Sequence, residues 1–295
     1  MEKKNIKRIK KILKYTGITF AALLVLGLIA LHVMTSQMRM SDKDILEDYS
    51  SKNIEIEYLK YEDHSIRIVK EAKEENDSIL LVFVHGAPGS WSAYKNYFYN
   101  DAFTEGVQVI SYDRPGYSLD EDQAMPSIAE QAMILQKVID KNELENVYLI
   151  GHSYGGPIVG YLASVDSRIK GTLMVSPLID PDSEPIFWFA YFSYWKLTSW
   201  ILPHDFITAG SEKFNHSKYL EEMKGNWSKI NTPVIHFHGK KDQLAPFEPN
   251  VEFSKKYINN NYLDLVVEED KGHLVIWTDQ KLVENLIIRL LNTGD

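Results

Sequence analysis

The chain is expected to form an α/β body on a doubly wound, mostly parallel sheet, with a small helical cap inserted and one transmembrane helix in front. Three observations carry this expectation. Apolar runs recur at Ile79 to Val84, Val107 to Tyr112, Val147 to Ile150, Gly171 to Val175, Val234 to Phe237 and Tyr262 to Val267, and strands buried on both faces read as unbroken runs rather than as alternation. Segments of helical spacing separate them, near Ser92 to Asn100, Ser127 to Lys141, Gly156 to Ala163, Glu248 to Tyr257 and Thr278 to Leu291. Strand followed by helix, repeated, argues for a parallel sheet covered on both sides through right-handed crossovers. Ahead of all this lies a continuous apolar stretch, Tyr15 to Met34.

The N-terminus sets the topology. Residues 1–14 hold seven Lys or Arg and one Glu, a net +6, so that about −15 falls on the remainder of a chain with net charge −9. The next segment, "YTGITFAALLVLGLIALHVM", contains no Asp, Glu, Lys or Arg over twenty residues. At 1.5 Å per residue it reaches about 30 Å, the thickness of a bilayer core. Basic residues on its N-terminal flank predict that this end stays in the cytoplasm and that the body lies across the membrane. The alternative, a cleaved signal peptide, wants a shorter apolar region and a small-x-small site, and residues 30–39 offer poor cleavage options. The expected organisation is a cytoplasmic basic segment over residues 1–14, an anchor over 15–34, a polar tether over 35–52, and the body over 53–295.

The body begins with alternation at Ile54 to Lys60 and, more weakly, at Ser65 to Lys70, which reads as a hairpin turning through "YEDH". The strand-helix rhythm then holds until residues 181–228, a long insertion without an evident strand. It carries "FWFAYFSYWKLTSW", eight aromatics between Phe187 and Trp200. These residues suit the core of a small helical subdomain, a cap walling an apolar substrate, or a membrane contact.

Composition removes several function classes. With no cysteine, the chain forms no disulfide and uses no thiolate nucleophile or thiolate metal site. An acidic body offers little counterion release to a nucleic acid, so no nucleic-acid partner is expected. His236 and His238 share one strand face, but no third ligand stands at a convincing spacing and H-E-x-x-H is absent, so no metal is expected.

The chemistry concentrates in "IGHSYGGP", residues 150–157. Gly151, His152, Ser153, Tyr154 and Gly155 fit G-x-S-x-G between a strand and a helix, the context that lifts a serine hydroxyl out of a sharp turn. A serine needs a base, and His273 in "EDKGHLVIW" follows the last strand run on the same rim of the sheet. The imidazole needs an orienting carboxylate, for which Asp242 in "HFHGKKDQLAP" follows the strand before, with Asp180 in reserve. The loop "VFVHGAPGSW", residues 82–91, leaves a central strand with its backbone turned toward the site. The N–H groups of Ala87 and Tyr154 are the expected oxyanion hole. This loop matches neither G-x-x-x-x-G-K-[ST] nor G-x-G-x-x-G, so it is not read as a phosphate cradle.

From about Ile54 to Leu291 the chain resembles the α/β-hydrolase fold superfamily, in its serine esterase, lipase and epoxide-hydrolase-like branch. The resemblance rests on "HGAPGS", "SYDRPGYS", "GHSYGG", "GKKDQLAP" and the Gly272-His273 pair, in that order. It implies a catalytic set Ser153, Asp242 and His273, and a supporting role for Asp113 and Arg114. Ser153 departs from the aspartate with which similar enzymes open epoxides or cleave carbon-halogen bonds. Prolyl aminopeptidases are similar too, but typically show "HGGPG" where this chain has Ala87, and they hold the substrate amine with acidic cap residues; Glu184, Glu212, Glu221 and Glu222 keep that alternative open. The expected function is cleavage of a carboxylic ester, or less readily an amide, of an apolar small molecule without a cofactor. A prolyl-type aminopeptidase and a non-catalytic ligand-binding module are the alternatives.

Overall fold

The computed structural model describes residues 2–72, 74–99, 106–119 and 123–294. Met1 and Asp295, the outer ends of the expected basic segment and body, and Asn100, the expected end of one helix, lie outside them. Eight strands form one sheet: β1 (Ile54–Tyr61), β2 (His64–Glu71), β3 (Ile79–Val84), β4 (Val107–Tyr112), β5 (Asn146–His152), β6 (Ile169–Val175), β7 (Val234–Gly239) and β8 (Leu263–Glu268), in the order β1-β2-β4-β3-β5-β6-β7-β8. β1 and β2 form an antiparallel hairpin, β2 joins β4 antiparallel, and every pair from β4 to β8 is parallel. Both faces of the central strands are covered, with all six residues of β4 and of β7 buried, while the edge strand β8 is half-buried along its length.

Two apolar layers sandwich the sheet. On one face α3 (Ile128–Asp140) and α4 (Gly155–Ala163) pack through Ile134, Leu135, Ile158 and Leu162. On the other, α9 (Gln280–Leu291), which follows α7 (Phe247–Tyr257) and the one-turn α8 (Val275–Thr278) in the chain, packs through Val283, Ile287 and Leu290. Ser127 caps α3 by accepting the amide of Glu130, and Asp279 caps α9 by accepting the amide of Leu282. The helix expected at Ser92 to Asn100 is instead a 3₁₀ helix over Trp91–Tyr99, burying Trp91, Tyr94, Tyr97 and Phe98. Its three-residue turn places these large rings on the sheet side.

The apolar stretch lies within α1 (Glu2–Met38), a single helix whose most hydropathic window has no part buried inside the protein. By length and composition this helix can cross a membrane. Residues 35–52, the expected tether, are largely structured. The first four end α1, and the rest include α2 (Asp42–Asp48), which has a capping box between Ser41 and Asp44 and docks on the body. Ile45 is fully buried, and Tyr49 stacks on Tyr99, meets Trp91 and Phe98 edge-on and donates its hydroxyl to Lys95 O. Arg67, itself buried, donates to Met40 O and to the Asp42 and Asp113 carboxylates. Ile45, Tyr49 and the Arg67 bonds together dock this segment on the body.

The insertion between β6 and β7 contains no strand among its described residues. Short 3₁₀ turns at Pro181–Ser183, Trp188–Ala190 and Ser199–Ile201 surround the one-turn α5 (Tyr191–Tyr194), followed by the long α6 (His204–Met223). Replacing Tyr49 by Ala removes a buried ring and its hydroxyl bond, and should lower stability by about 3 kcal/mol, read as a lower thermal midpoint of the full chain in detergent.

Candidate active site

Ser153 sits in the two-residue turn from β5 to α4 with φ at +53°, a left-handed backbone that a non-glycine residue adopts only when its surroundings enforce it. The enforcement is visible. Ser153 N–H donates to Val175 O on the neighbouring strand, and Ser153 O accepts from Gly156 N–H, both at 3.0 Å. A β-carbon at Gly151 would stand 2.5 Å from Gly155 O, and one at Gly155 would run into Val84 O, so both positions exclude any larger residue.

The serine is 5% exposed, with its hydroxyl 3.0 Å from His273 Nε2. His273 lies in the loop after β8, and its Nδ1 is 2.9 Å from Asp242 Oδ2. Asp242 follows β7, and its other oxygen, Oδ1, accepts the amides of Leu244 and Ala245 at 2.9 and 2.8 Å. The three strand ends thus bring hydroxyl, imidazole and carboxylate into one hydrogen-bonded series. Burial works to raise the Asp242 pKa, but His273 and the Ala245 amide outweigh it and hold the carboxyl below its ordinary value. Asp180 is elsewhere: its carboxylate caps the turn at Pro181–Ser183.

The loop after β3 passes directly under the serine, since a β-carbon on Gly86 would lie 3.0 Å from Ser153 Cβ. Ala87 is the next residue. Tyr154, on the other side of Ser153, is the N-cap of α4, where the positive end of the helix dipole gathers. These are the surroundings of the two backbone groups expected as an oxyanion hole.

Four histidines near this rim stay neutral. His152 donates Nε2–H to His273 O at 2.9 Å, and burial, followed by the neighbouring His273, depresses its pKa to about 3. His85 bonds Gly86 O through Nδ1 and accepts the Arg114 amide at Nε2, so its tautomer is fixed; burial and then Arg114 push its pKa well down. His236 and His238 form a buried relay: Ser254 hydroxyl to His236 Nδ1, His236 Nε2 to His238 Nδ1, and His238 Nε2 to Ala245 O, at 2.7, 3.0 and 2.9 Å. Burial lowers both pKa values. The relay ends on the turn whose amides hold Asp242, a support that strand alternation alone did not reveal.

A second buried network was also missed by sequence reasoning. Arg114, fully buried, donates to His85 O and Gly86 O at 2.9 Å each and to the Glu212 carboxylate at 2.5 and 3.2 Å. Gln131 and Tyr117 complete the coordination of Glu212, and the Tyr154 ring lies against the guanidinium at 4.8 Å. The network joins the loop bearing Ala87 to α6 of the insertion. "DRPGYS" marked Arg114 as a support, but its partner stands 98 residues away in a helix with no motif.

Glu212→Gln would leave the Arg114 charge buried and unpaired, so a loss of about 3 kcal/mol is expected, measured by chemical denaturation. The neutral imidazoles give a pH dependence of known sign. Each binds a proton less readily folded than unfolded, so stability is complete above the ordinary histidine value near 6.5 and falls as pH drops below it. The unfolding free energy from urea titration should be lower at about pH 5.5 than at about pH 8, by on the order of 1 kcal/mol for each buried imidazole.

Residues 81–285 match the model of the Alpha/beta hydrolase family. The AB hydrolase superfamily protein YisY of Bacillus subtilis is 23% identical over 274 residues, covering 80% of this chain and 99% of that protein. A proline iminopeptidase of Lactobacillus delbrueckii is 36% identical over 119 residues, covering 38% of this chain and 40% of that protein. Among solved structures, a bacterial membrane phospholipase A superposes with TM-score 0.63 at 13% identity, over 95% of this chain and 99% of that one. An esterase of Exiguobacterium antarcticum superposes with TM-score 0.62 at 20% identity, over 79% and 98%. The family match extends from β3 into α9 and so encloses the serine turn, both loops that meet it and the insertion between them: the chain belongs to the alpha/beta hydrolase family.

Proposed function

We propose that the chain is a membrane-anchored serine hydrolase that cleaves a carboxylic ester of an apolar small molecule through an acyl-enzyme. The observation that carries this reading is the continuous series Ser153 Oγ, His273 Nε2, His273 Nδ1 and Asp242 Oδ2, with contacts of 3.0 and 2.9 Å. Ser153 Oγ attacks the carbonyl carbon as His273 Nε2 takes its proton. Asp242 holds Nδ1–H in place and stabilises the imidazolium. The backbone N–H groups of Ala87 and Tyr154 receive the negative oxygen of the tetrahedral intermediate. His273 then returns the proton to the leaving alcohol, and water releases the acyl group by the same route, without a cofactor. Residues 15–34 anchor the enzyme, with the basic segment in the cytoplasm and the body beyond the membrane.

The local identity to a proline iminopeptidase favours a second reading, an aminopeptidase whose cap glutamates grip the substrate amine. Their present partners weigh against it. Glu212 is held by Arg114, Glu184 by Lys213 with His216 Nδ1 3.1 Å away, Glu221 by Lys224 and Glu222 by Lys218. Each carboxylate already has an intramolecular cation.

Ser153→Ala should reduce turnover of acyl esters by at least about 10³-fold, while a fluorophosphonate probe labels the native chain and not the variant. Labelling of neither would support a non-catalytic binding module. Faster turnover of aminoacyl amides than of acyl esters would install the peptidase reading instead.

A further inference from the structure

The proposed anchor meets the body at one particular place. His32, near the end of the apolar stretch, has its Nε2 3.2 Å from Ile201 O in the insertion. Seven residues on, Arg39 forms a bidentate pair with Asp205 at the start of α6, with Nη2 to Oδ1 at 2.7 Å. Ser90 donates to Met38 O and Arg67 to Met40 O, clasping the helix end to the sheet as well. The helix therefore leaves the bilayer already fixed against the insertion and does not let the body swing beneath it.

Beside that junction, the insertion exposes its largest apolar side chains. Trp188 is 73% exposed, Tyr194 71%, Leu197 85% and Trp200 77%, with Ile186 and Trp195 half-exposed around them. Residues 185–203 contain one formal charge, Lys196, and no carboxylate, on a chain of net charge −9. The face opposite is different: α6 turns Thr208, Glu212 and His216 inward, with His216 stacked on Tyr154, while Phe214 meets Tyr191 and Tyr194. The aromatic layer is thus not consumed by the body's core.

We propose that this surface sits in the headgroup and upper acyl region of the same bilayer that the N-terminal helix crosses, as a second point of membrane attachment. The occupant is a lipid surface, argued from continuity: Trp200 and Ile201 lie beside His32, near the end of the helix's apolar stretch, and the other exposed aromatics belong to the same insertion. Trp and Tyr are the side chains that favour this zone, with an apolar ring in the lipid and a polar edge in water. A surface free of carboxylates avoids repulsion from anionic headgroups, and Lys196 adds attraction. The inference rests on the anchor reading for its position and not on the ester chemistry.

The test uses the absence of cysteine, which lets a single introduced thiol carry a nitroxide without background. The full chain is placed in phosphatidylcholine–phosphatidylglycerol nanodiscs with labels at Leu197→Cys and Trp200→Cys in the insertion, Leu24→Cys in the helix, and Glu145→Cys at the amino end of β5. Collision with oxygen, which concentrates in lipid, is compared with collision with a water-soluble nickel chelate. The expected result is an oxygen-to-nickel ratio severalfold higher at residues 197 and 200 than at residue 145. Water-like ratios at 197 and 200 with a lipid-like ratio at 24 would overturn the surface and leave the anchor standing. Water-like ratios at all three would sink both. Shielding of 197 and 200 from both reagents, with spectral broadening between labels, would assign the surface to a second copy of the chain and overturn the proposal.

Discussion

The left-handed turn at Ser153 is the constraint around which the site is arranged. A non-glycine residue at positive φ is costly, and it persists because the turn is fixed on several sides: Val175 O below, Gly156 N–H ahead, and the carbonyls of Val84 and Gly155 crowding positions where only glycine fits. The backbone distortion stands the hydroxyl up at the carboxyl rim of the sheet, where the loops after β7 and β8 deliver the carboxylate and the imidazole. Parallel strands with right-handed crossovers make this convergence possible, since every loop of this kind leaves the sheet on the same edge.

Electrostatics at the rim are correspondingly sparse. His85, His152, His236 and His238 surround the site without carrying charge, because burial disfavours protonation and each has a bond that fixes its tautomer. The ionised carboxylate facing His273 is Asp242, and the amides of Leu244 and Ala245 engage its other oxygen, leaving Oδ2 to the imidazole. The field at His273 is therefore set by a nearby, oriented group, which is the arrangement that stabilises an imidazolium with little reorganisation.

The sheet was legible because burial on both faces writes itself as uninterrupted apolar runs; Ile79–Val84 and Val107–Tyr112 coincide with their runs at both ends. Ser153, Asp242 and His273 were legible as a group because each follows such a run. What escaped reading depends on contacts between segments remote in sequence. Ile45 and Tyr49 give no periodic signal inside an acidic stretch, so the docking of α2 on the body is not visible in the sequence. Glu212 looks like any surface carboxylate of a polar helix until Arg114 is brought beneath it. The 3₁₀ helix at Trp91–Tyr99 and the helix proposed there have nearly the same apolar spacing, and only the packing of four rings on the sheet separates them.

The Arg114–Glu212 pair also binds the insertion to the site. Ser153 lies nearly closed off beside the loop that Arg114 holds. Separating a fully buried ion pair costs several kcal/mol, and here it would also unseat the loop that carries Ala87. α6 is consequently coupled to the serine turn, so that a change at Glu212 is felt through Arg114 at the loop carrying Ala87 and at Tyr154, against which both Arg114 and His216 lie.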